Sequence, residues 1–244
     1  MVSAFFVGAL VGLTGVGAGA VMTPLLILVF SVSPAVAIAT ALVFATVTKL
    51  FSAAVHLRRD SVDWAAARSI WKGSIPGVFI GIAVVVYVGV QFDFLLTLFL
   101  ALVIISTSLS MLRPVRFEGR AKGLSSLFGG GFIGFSVATT SVGAGALGMV
   151  LLRRQIGDES PKKLVGTAIV HSIPIALIAG LTYGAGGLVD LELLLVILLG
   201  SIPGALLGSR FTDRVRPEFL RKVLAIVLLV AAGALLRNLM GAIA

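Results

Sequence analysis

Two short stretches carry the residues most suited to chemistry. LTGVGAGAVM at 13–22 holds Thr14, Gly15, Val16, Gly17, Ala18 and Gly19, and TTSVGAGALG at 139–148 holds Thr140, Ser141, Val142, Gly143, Ala144 and Gly145. Such residues offer backbone and a few hydroxyls rather than reactive side chains. Glycine permits tight turns and, lacking Cβ, lets a ligand approach the peptide N–H. A helix starting inside such a cluster presents unpaired first-turn amides and about half a positive charge. Two such N-termini converging would hold an oxyanion without any arginine, with the threonine and serine hydroxyls as added donors. These twelve residues and Lys49 are the expected substrate-binding set. The competing use is close helix packing through small residues, but packing leaves the distribution of charge along the chain unexplained.

Lys49, in FATVTKLFSAAV, is the one charged residue deep in an apolar run. A lysine at the centre of a membrane helix costs about 2.5–3.5 kcal/mol on insertion scales. It reads either as a counter-charge or gate for the anion, or as a side chain snorkelling to the cytoplasmic end. His171 reads as a proton relay, since imidazole titrates near neutral pH, or as a structural histidine bonded to backbone. Thr40 and Thr167, with Thr46, Thr48 and Ser172, are candidates to line or gate a path, although helix hydroxyls commonly bond back to their own backbone. Asp63 and Asp190 each precede a helical run and read as N-caps.

The elements that hold these residues are set by composition. Of 244 residues, 59% are hydrophobic and only 12% charged, with mean hydropathy +1.15. That balance excludes an ordinary soluble domain and leaves no room for a separate one. Eight apolar segments run over about 3–30, 35–57, 64–90, 92–112, 124–152, 161–183, 190–209 and 219–240, long enough to enter a bilayer. The apolar N-terminus lacks a basic flank and does not read as a cleaved signal. With no cysteine, disulfides and thiolate sites are excluded.

The net charge of +9 is a topology signal. All Lys and Arg except Lys49 and Arg237 cluster around 58–72, 113–122, 153–163 and 210–222, while the connections near 31–34, 90–93 and 184–190 carry none. Basic loops stay cytoplasmic. Eight simple crossings break this rule, because both flanks of 124–152 are basic. The rule is restored if 124–152 is a re-entrant hairpin entering from the cytoplasm and 3–30 one entering from outside. Six segments then cross fully, and both termini lie outside the cytoplasmic (inner) membrane.

The halves also repeat. GSIPGVFIG at 73–81 returns as GSIPGALLG at 200–208; Asp63 and Asp190, and Thr40 and Thr167, share that offset, and the glycine clusters match one residue closer. Each half holds one hairpin and three crossings, an odd number, so the halves are expected to be inverted. The fold expected is an all-α polytopic membrane protein of two inverted repeats, 1–112 and 124–244, joined by a cytoplasmic linker at 113–123. The first GSIPG lies near the start of its apolar run and the second near the end, so either the halves differ in depth or these boundaries are displaced. Pro76 and Pro203 are expected to kink their helices.

No enzyme is indicated. There is no Walker lysine motif, the two histidines lack metal-ligand spacing, and GVGAG follows no strand as a nucleotide loop would require. No cofactor or metal is expected. The expected partners are a small anion, the lipid bilayer and a second copy of the chain as a homodimer, without nucleic acid.

GLTGVGAGAVMTPLLI at 12–27, ATALVFATVTKLFSAAVHLRRDSVDW at 39–64 and GSIPGVFIG resemble the TauE/SafE sulfite exporter family of membrane permeases, over nearly the whole chain. In the family's Gly-x-Gly-Gly-Gly pattern with a following proline, Gly15, Gly17, Gly19 and Pro24 match and Ala18 replaces one glycine. In the second half Ser141 and Ala144 replace glycines and no proline follows. The resemblance implies transport of small sulfur oxyanions or organosulfonates such as sulfite or sulfoacetate. The function expected is a secondary permease, exporting sulfite by alternating access. The alternatives are an uptake permease, a channel-like anion pore, a cation or metal exporter, and a non-transporting membrane subunit. A cation exporter would want carboxylates or histidines at the glycine tips, which have none.

Overall fold

The computed structural model describes residues 4–9, 18–58, 61–89, 93–112, 124–156, 161–211 and 217–241. Thr14, Gly15, Val16 and Gly17 and the linker 113–123 lie outside these residues, and of Ala18 only the backbone is described. Every regular element among the described residues is helical. The helices are α1 (residues 4–9), α2 (Ala18–Phe30), α3 (Pro34–Arg58), α4 (Trp64–Val84, continued by a π turn Val85–Gly89), α5 (Asp93–Leu112), α6 (Leu124–Thr140), α7 (Ala146–Ile156), α8 (Pro161–Ala185), α9 (Leu191–Phe211) and α10 (Pro217–Gly241). Five contain stretches long and apolar enough to cross a membrane: Pro34–Phe51, Trp64–Tyr87, Asp93–Leu112, Lys163–Ala185 and Lys222–Gly241. The sixth expected crossing, α9, has a shorter apolar part, Leu191–Gly204.

Many large apolar side chains lie on the exterior, and a set of polar ones lies inside. Phe128, Phe132, Leu195, Leu199 and Val230 are exposed, whereas Thr23, Ser74, Ser136, Thr140, His171 and Ser201 are buried. A water-soluble fold reverses this arrangement, and a bilayer accommodates it. One core joins α1, α2, α3, α5, α9 and α10 around Met22, Leu26, Phe44 and Ile104. A second joins α3, α4, α6, α7 and α8 around Ile38, Ile70, Leu152 and Ile175. Both draw on both halves of the chain, so neither half has a core of its own.

Backbone-to-backbone packing explains many of the glycines. A Cβ at Gly73 would stand 2.0 Å from the Leu127 carbonyl oxygen, and one at Gly134 1.9 Å from that of Ser74, so α4 and α6 touch through bare backbone. Two of these contacts recur at the repeat offset. Gly134 on Ser74 is matched by Gly8 on Ser201, at 2.1 Å; Gly77 on Gly131, at 2.1 Å, is matched by Gly204 on Phe5, at 2.1 Å. Each pair joins one half to the other.

The caps follow the same exchange. Asp63 Oδ1 accepts from Ala66 N (2.9 Å) and Asp190 Oδ1 from Leu193 N (2.9 Å), as N-caps should. Asp63 N–H donates to Thr167 Oγ1 (2.8 Å) and Asp190 N–H to Thr40 Oγ1 (3.1 Å). These caps remove the apparent difference in depth between the halves. With α4 beginning at Trp64 and α9 at Leu191, both GSIPG motifs start at the same helical position; the two runs differ at their far ends, the first continuing to Gly89 and the second ending at Phe211. Each helix continues through its proline, Pro76 or Pro203.

Gln155, near the end of α7, donates to Ser126 Oγ at the start of α6 (2.6 Å) and to Ser69 Oγ on α4 (3.1 Å). The two ends of 124–156 therefore lie side by side, while the break between α6 and α7 is buried.

Candidate functional site

The break follows from local chemistry. Thr140 Oγ1 donates to the Ser136 carbonyl (2.6 Å) and accepts from Val142 N–H (3.1 Å), closing the end of α6. Ser141 then adopts φ 59° and Gly143 φ 109°. Two left-handed residues within three turn the chain out of the helix. Gly143 tolerates this for want of a Cβ. Ser141 is held there by its side chain, which donates to the Gly19 carbonyl (3.3 Å) and bonds to Thr23 Oγ1.

These bonds bring the two sequence clusters together. Gly19 and Thr23 lie at the start of α2, and a Cβ at Gly19 would stand 2.3 Å from the Ser141 carbonyl oxygen. Of the expected binding set, the structure thus joins Gly19 to Ser141 and groups Thr140, Val142, Gly143, Ala144 and Gly145 beside them.

α7 starts from this turn. The Gly143 carbonyl accepts from Leu147 N (3.0 Å) and Gly148 N (3.1 Å), and the Gly145 carbonyl from Met149 N (3.0 Å). The N–H groups of Gly143, Ala144 and Gly145 donate to no described group, although Gly143 and Ala144 are buried. Beside them stands Ser136, wholly buried, whose Oγ has no partner among the described residues. A Cβ at Gly143 would lie 3.6 Å from Ser136 Cβ. Buried polar groups in native folds are almost always satisfied, and the Ser136 hydroxyl beside this turn is one of the few exceptions among the described residues.

His171 on α8 is wholly buried one helical turn further along α7. Its Nε2 lies 3.2 Å from Ser74 Oγ, its carbonyl accepts from Trp71 Nε1 (2.9 Å), and its Nδ1 has no partner among the described residues. A Cβ at Gly148 would stand 3.8 Å from that Nδ1. Lys49 is 9% exposed, and its charge acts electrostatically on His171.

The other candidate hydroxyls have structural partners. Thr40 and Thr167 accept from the backbone of the capping aspartates, and Thr167 also donates to the Lys163 carbonyl (2.7 Å). Thr46 donates to Leu42 O (2.8 Å), Thr48 to Phe44 O (2.9 Å) and Ser172 to Ile169 O (2.8 Å). The sequence alone assigned no role to Ser136, Ser74, Thr23 or Gly148; Ser74 carried a signal as part of the repeated GSIPG, and Gly148 as the end of the TTSVGAGALG cluster.

The family model described as Sulfite exporter TauE/SafE matches residues 1–235. The chain belongs to the TauE/SafE family. Two similar proteins of Bacillus subtilis (strain 168) carry the descriptions "Probable membrane transporter protein YjnA" and "Probable membrane transporter protein YdhB". The first is 35% identical over 242 residues, covering 93% of this chain and 94% of that one; the second is 26% identical over 238 residues, covering 95% and 96%. No solved structure gives a significant match. As a TauE/SafE member the chain is a membrane transporter, in keeping with its apolar exterior.

Proposed function

We propose that this transporter is a permease for small sulfur oxyanions or organosulfonates, with sulfite export across the cytoplasmic membrane as its activity. The observation that carries this reading is the buried turn 141–145, with its open amides, the open Ser136 hydroxyl and the N-terminus of α7. Amide and hydroxyl donors with a positive helix end suit an oxyanion. In this reading Gly143, Ala144 and Gly145 grip the oxygens through N–H groups, Thr140 and Ser141 shape the turn, and Thr14 to Gly19 supply the matching tip. Lys49 offsets the anion's charge.

In the same reading 124–156 is a re-entrant hairpin, 3–30 is its inverted counterpart, and the repeats 1–112 and 124–244 rock about the tips to expose the site alternately. The Gln155–Ser126 bond, the caps exchanged between halves and the recurring glycine contacts support it, as do the basic loops. The termini then lie outside and the linker 113–123 inside, and two copies associate as a homodimer. The chain performs no chemical conversion and uses no cofactor.

The test is flux of radiolabelled sulfite, sulfoacetate, sulfate and chloride into proteoliposomes holding the full chain, with and without a pH gradient. Sulfite or sulfoacetate should move well above protein-free vesicles, with chloride slow. Ser136→Ala should fold normally, since that hydroxyl bonds to no described group, and should lower flux about ten- to a hundredfold, the worth of one hydrogen bond to a charged ligand. Absence of sulfur-anion flux in the wild type would refute the permease reading; unchanged flux in Ser136→Ala would move the site elsewhere.

A further inference from the structure

We infer that His171 makes the site selective for the protonated monoanion, hydrogensulfite, by accepting a hydrogen bond from its acidic O–H. The inference rests on the permease reading above and names the protonation state of its substrate. It begins with Ser74. That hydroxyl has one proton, which it donates to the Ile70 carbonyl (3.1 Å), so at the 3.2 Å contact with His171 the serine oxygen accepts and Nε2–H donates. The neutral imidazole then carries its free lone pair on Nδ1. This atom is wholly buried, unpartnered among the described residues, and turned toward Gly148 on the first turn of α7.

Among the described titratable side chains in this region, Nδ1 of His171 is an open acceptor for a substrate proton. From α3 comes Lys49, a donor whose charge acts on the imidazole. From α4 come Ser74, already engaged, and Trp71, which donates to the His171 carbonyl. Arg68 and Lys72 on α4 and Arg153 on α7 are exposed, and Arg154 lies in the last turn of α7. α6 contains no titratable residue, and on α8 itself Lys163 and Tyr183 stand two turns or more away. The turn at 143–145 and Ser136 offer donors for the remaining oxygens. A ligand meeting both sides needs acceptor oxygens and one O–H. Hydrogensulfite has them near neutral pH, whereas sulfate and sulfonates have lost their last proton there.

Gly148 supplies a mild test. A methyl at this position would make ordinary van der Waals contact with Nδ1, at 3.8 Å, covering the lone pair while leaving the Ser74 bond and the helix intact. In proteoliposomes, with protein-free vesicles subtracted, wild-type flux at fixed total sulfite should follow the hydrogensulfite fraction between about pH 6 and pH 8. Gly148→Ala should lower the sulfite-to-sulfoacetate flux ratio about fivefold, the worth of one neutral hydrogen bond, and flatten the pH profile. His171→Leu should do the same if it folds. Sulfite flux indifferent to pH, or Gly148→Ala lowering both substrates alike with the profile unchanged, would overturn the inference and leave the permease reading standing. Absence of sulfur-anion flux in the wild type would overturn both.

Discussion

Gly134 and Gly131 lie three residues apart on α6 and should respond oppositely to the same added methyl. At Gly134 the new Cβ would sit 1.9 Å from the Ser74 carbonyl oxygen, against backbone that cannot yield without separating α4 from α6. At Gly131 the nearest atom, the Gly73 carbonyl oxygen, lies 3.7 Å away. Gly134→Ala should therefore cost about 1–3 kcal/mol through overpacking. Gly131→Ala should be neutral or gain up to about 1 kcal/mol from helix propensity. Thermal unfolding of the purified protein in detergent reads the difference; equal midpoints would mean the helices are not in backbone contact. The glycines were legible as a class, because their number and repetition demand a backbone use. Which of them bear a contact was not, since that depends on the facing helix. The same limit hid Ser136 and Ser74: hydroxyls in apolar helices usually bond to their own backbone, and only the folded arrangement reveals the one left open.

At the level of elements, the aspartate caps fix where α4 and α9 begin. Asp190→Ala should cost about 1 kcal/mol for the lost cap. Thr40→Val removes the acceptor of the Asp190 N–H, 3.1 Å away on the other half, and should cost about 1–3 kcal/mol for a group left unsatisfied. Asp190→Ala keeps the backbone N–H of residue 190 and so its bond to Thr40, and the two costs should add; a Thr40→Val variant as stable as the wild type in detergent unfolding would deny the link between halves. Apolar runs located these two helices to within two residues, 64–90 against Trp64 to Gly89 and 190–209 against Leu191–Phe211. α4 begins with a polar first third that includes Arg68 and Lys72, and α9 runs past its apolar part through Arg210 to Phe211. Hydropathy follows contact with lipid, whereas helix ends are set by hydrogen bonds, and the residue that sets them is the cap. The turn at 141–145 was legible from its glycines, but its hold on α2 through Ser141 and Thr23 was not. Their repeat counterparts, Gly15 and Met149, have no hydroxyl, so the symmetry that exposed the caps gave no sign of it.

For the whole molecule, the decisive quantity is the side of the membrane on which two distant connections emerge. If every apolar segment crossed once, residues 31–33 would follow one crossing and 186–190 would follow six, placing them on opposite faces. With 3–30 and 124–156 as hairpins they follow none and four, and share a face. Asp190, at the end of the later connection, bonds to Thr40 two turns into α3, which draws both connections to one end of the bundle. Asp63, Thr167, Ser126 and Gln155 gather at another set of ends through their own bonds. The chain's lack of cysteine makes the test clean. Ser33 and Gly186 are exposed, as is Arg153 near the end of α7. A membrane-impermeant thiol reagent added to intact cells should label Ser33→Cys and Gly186→Cys, and should reach Arg153→Cys only after the cells are opened. Labelling of Ser33→Cys and Gly186→Cys from opposite sides would require at least one glycine turn to be an ordinary crossing. The amides of 143–145 would then have no partner tip facing them, and the anion site would lose the convergence on which it depends.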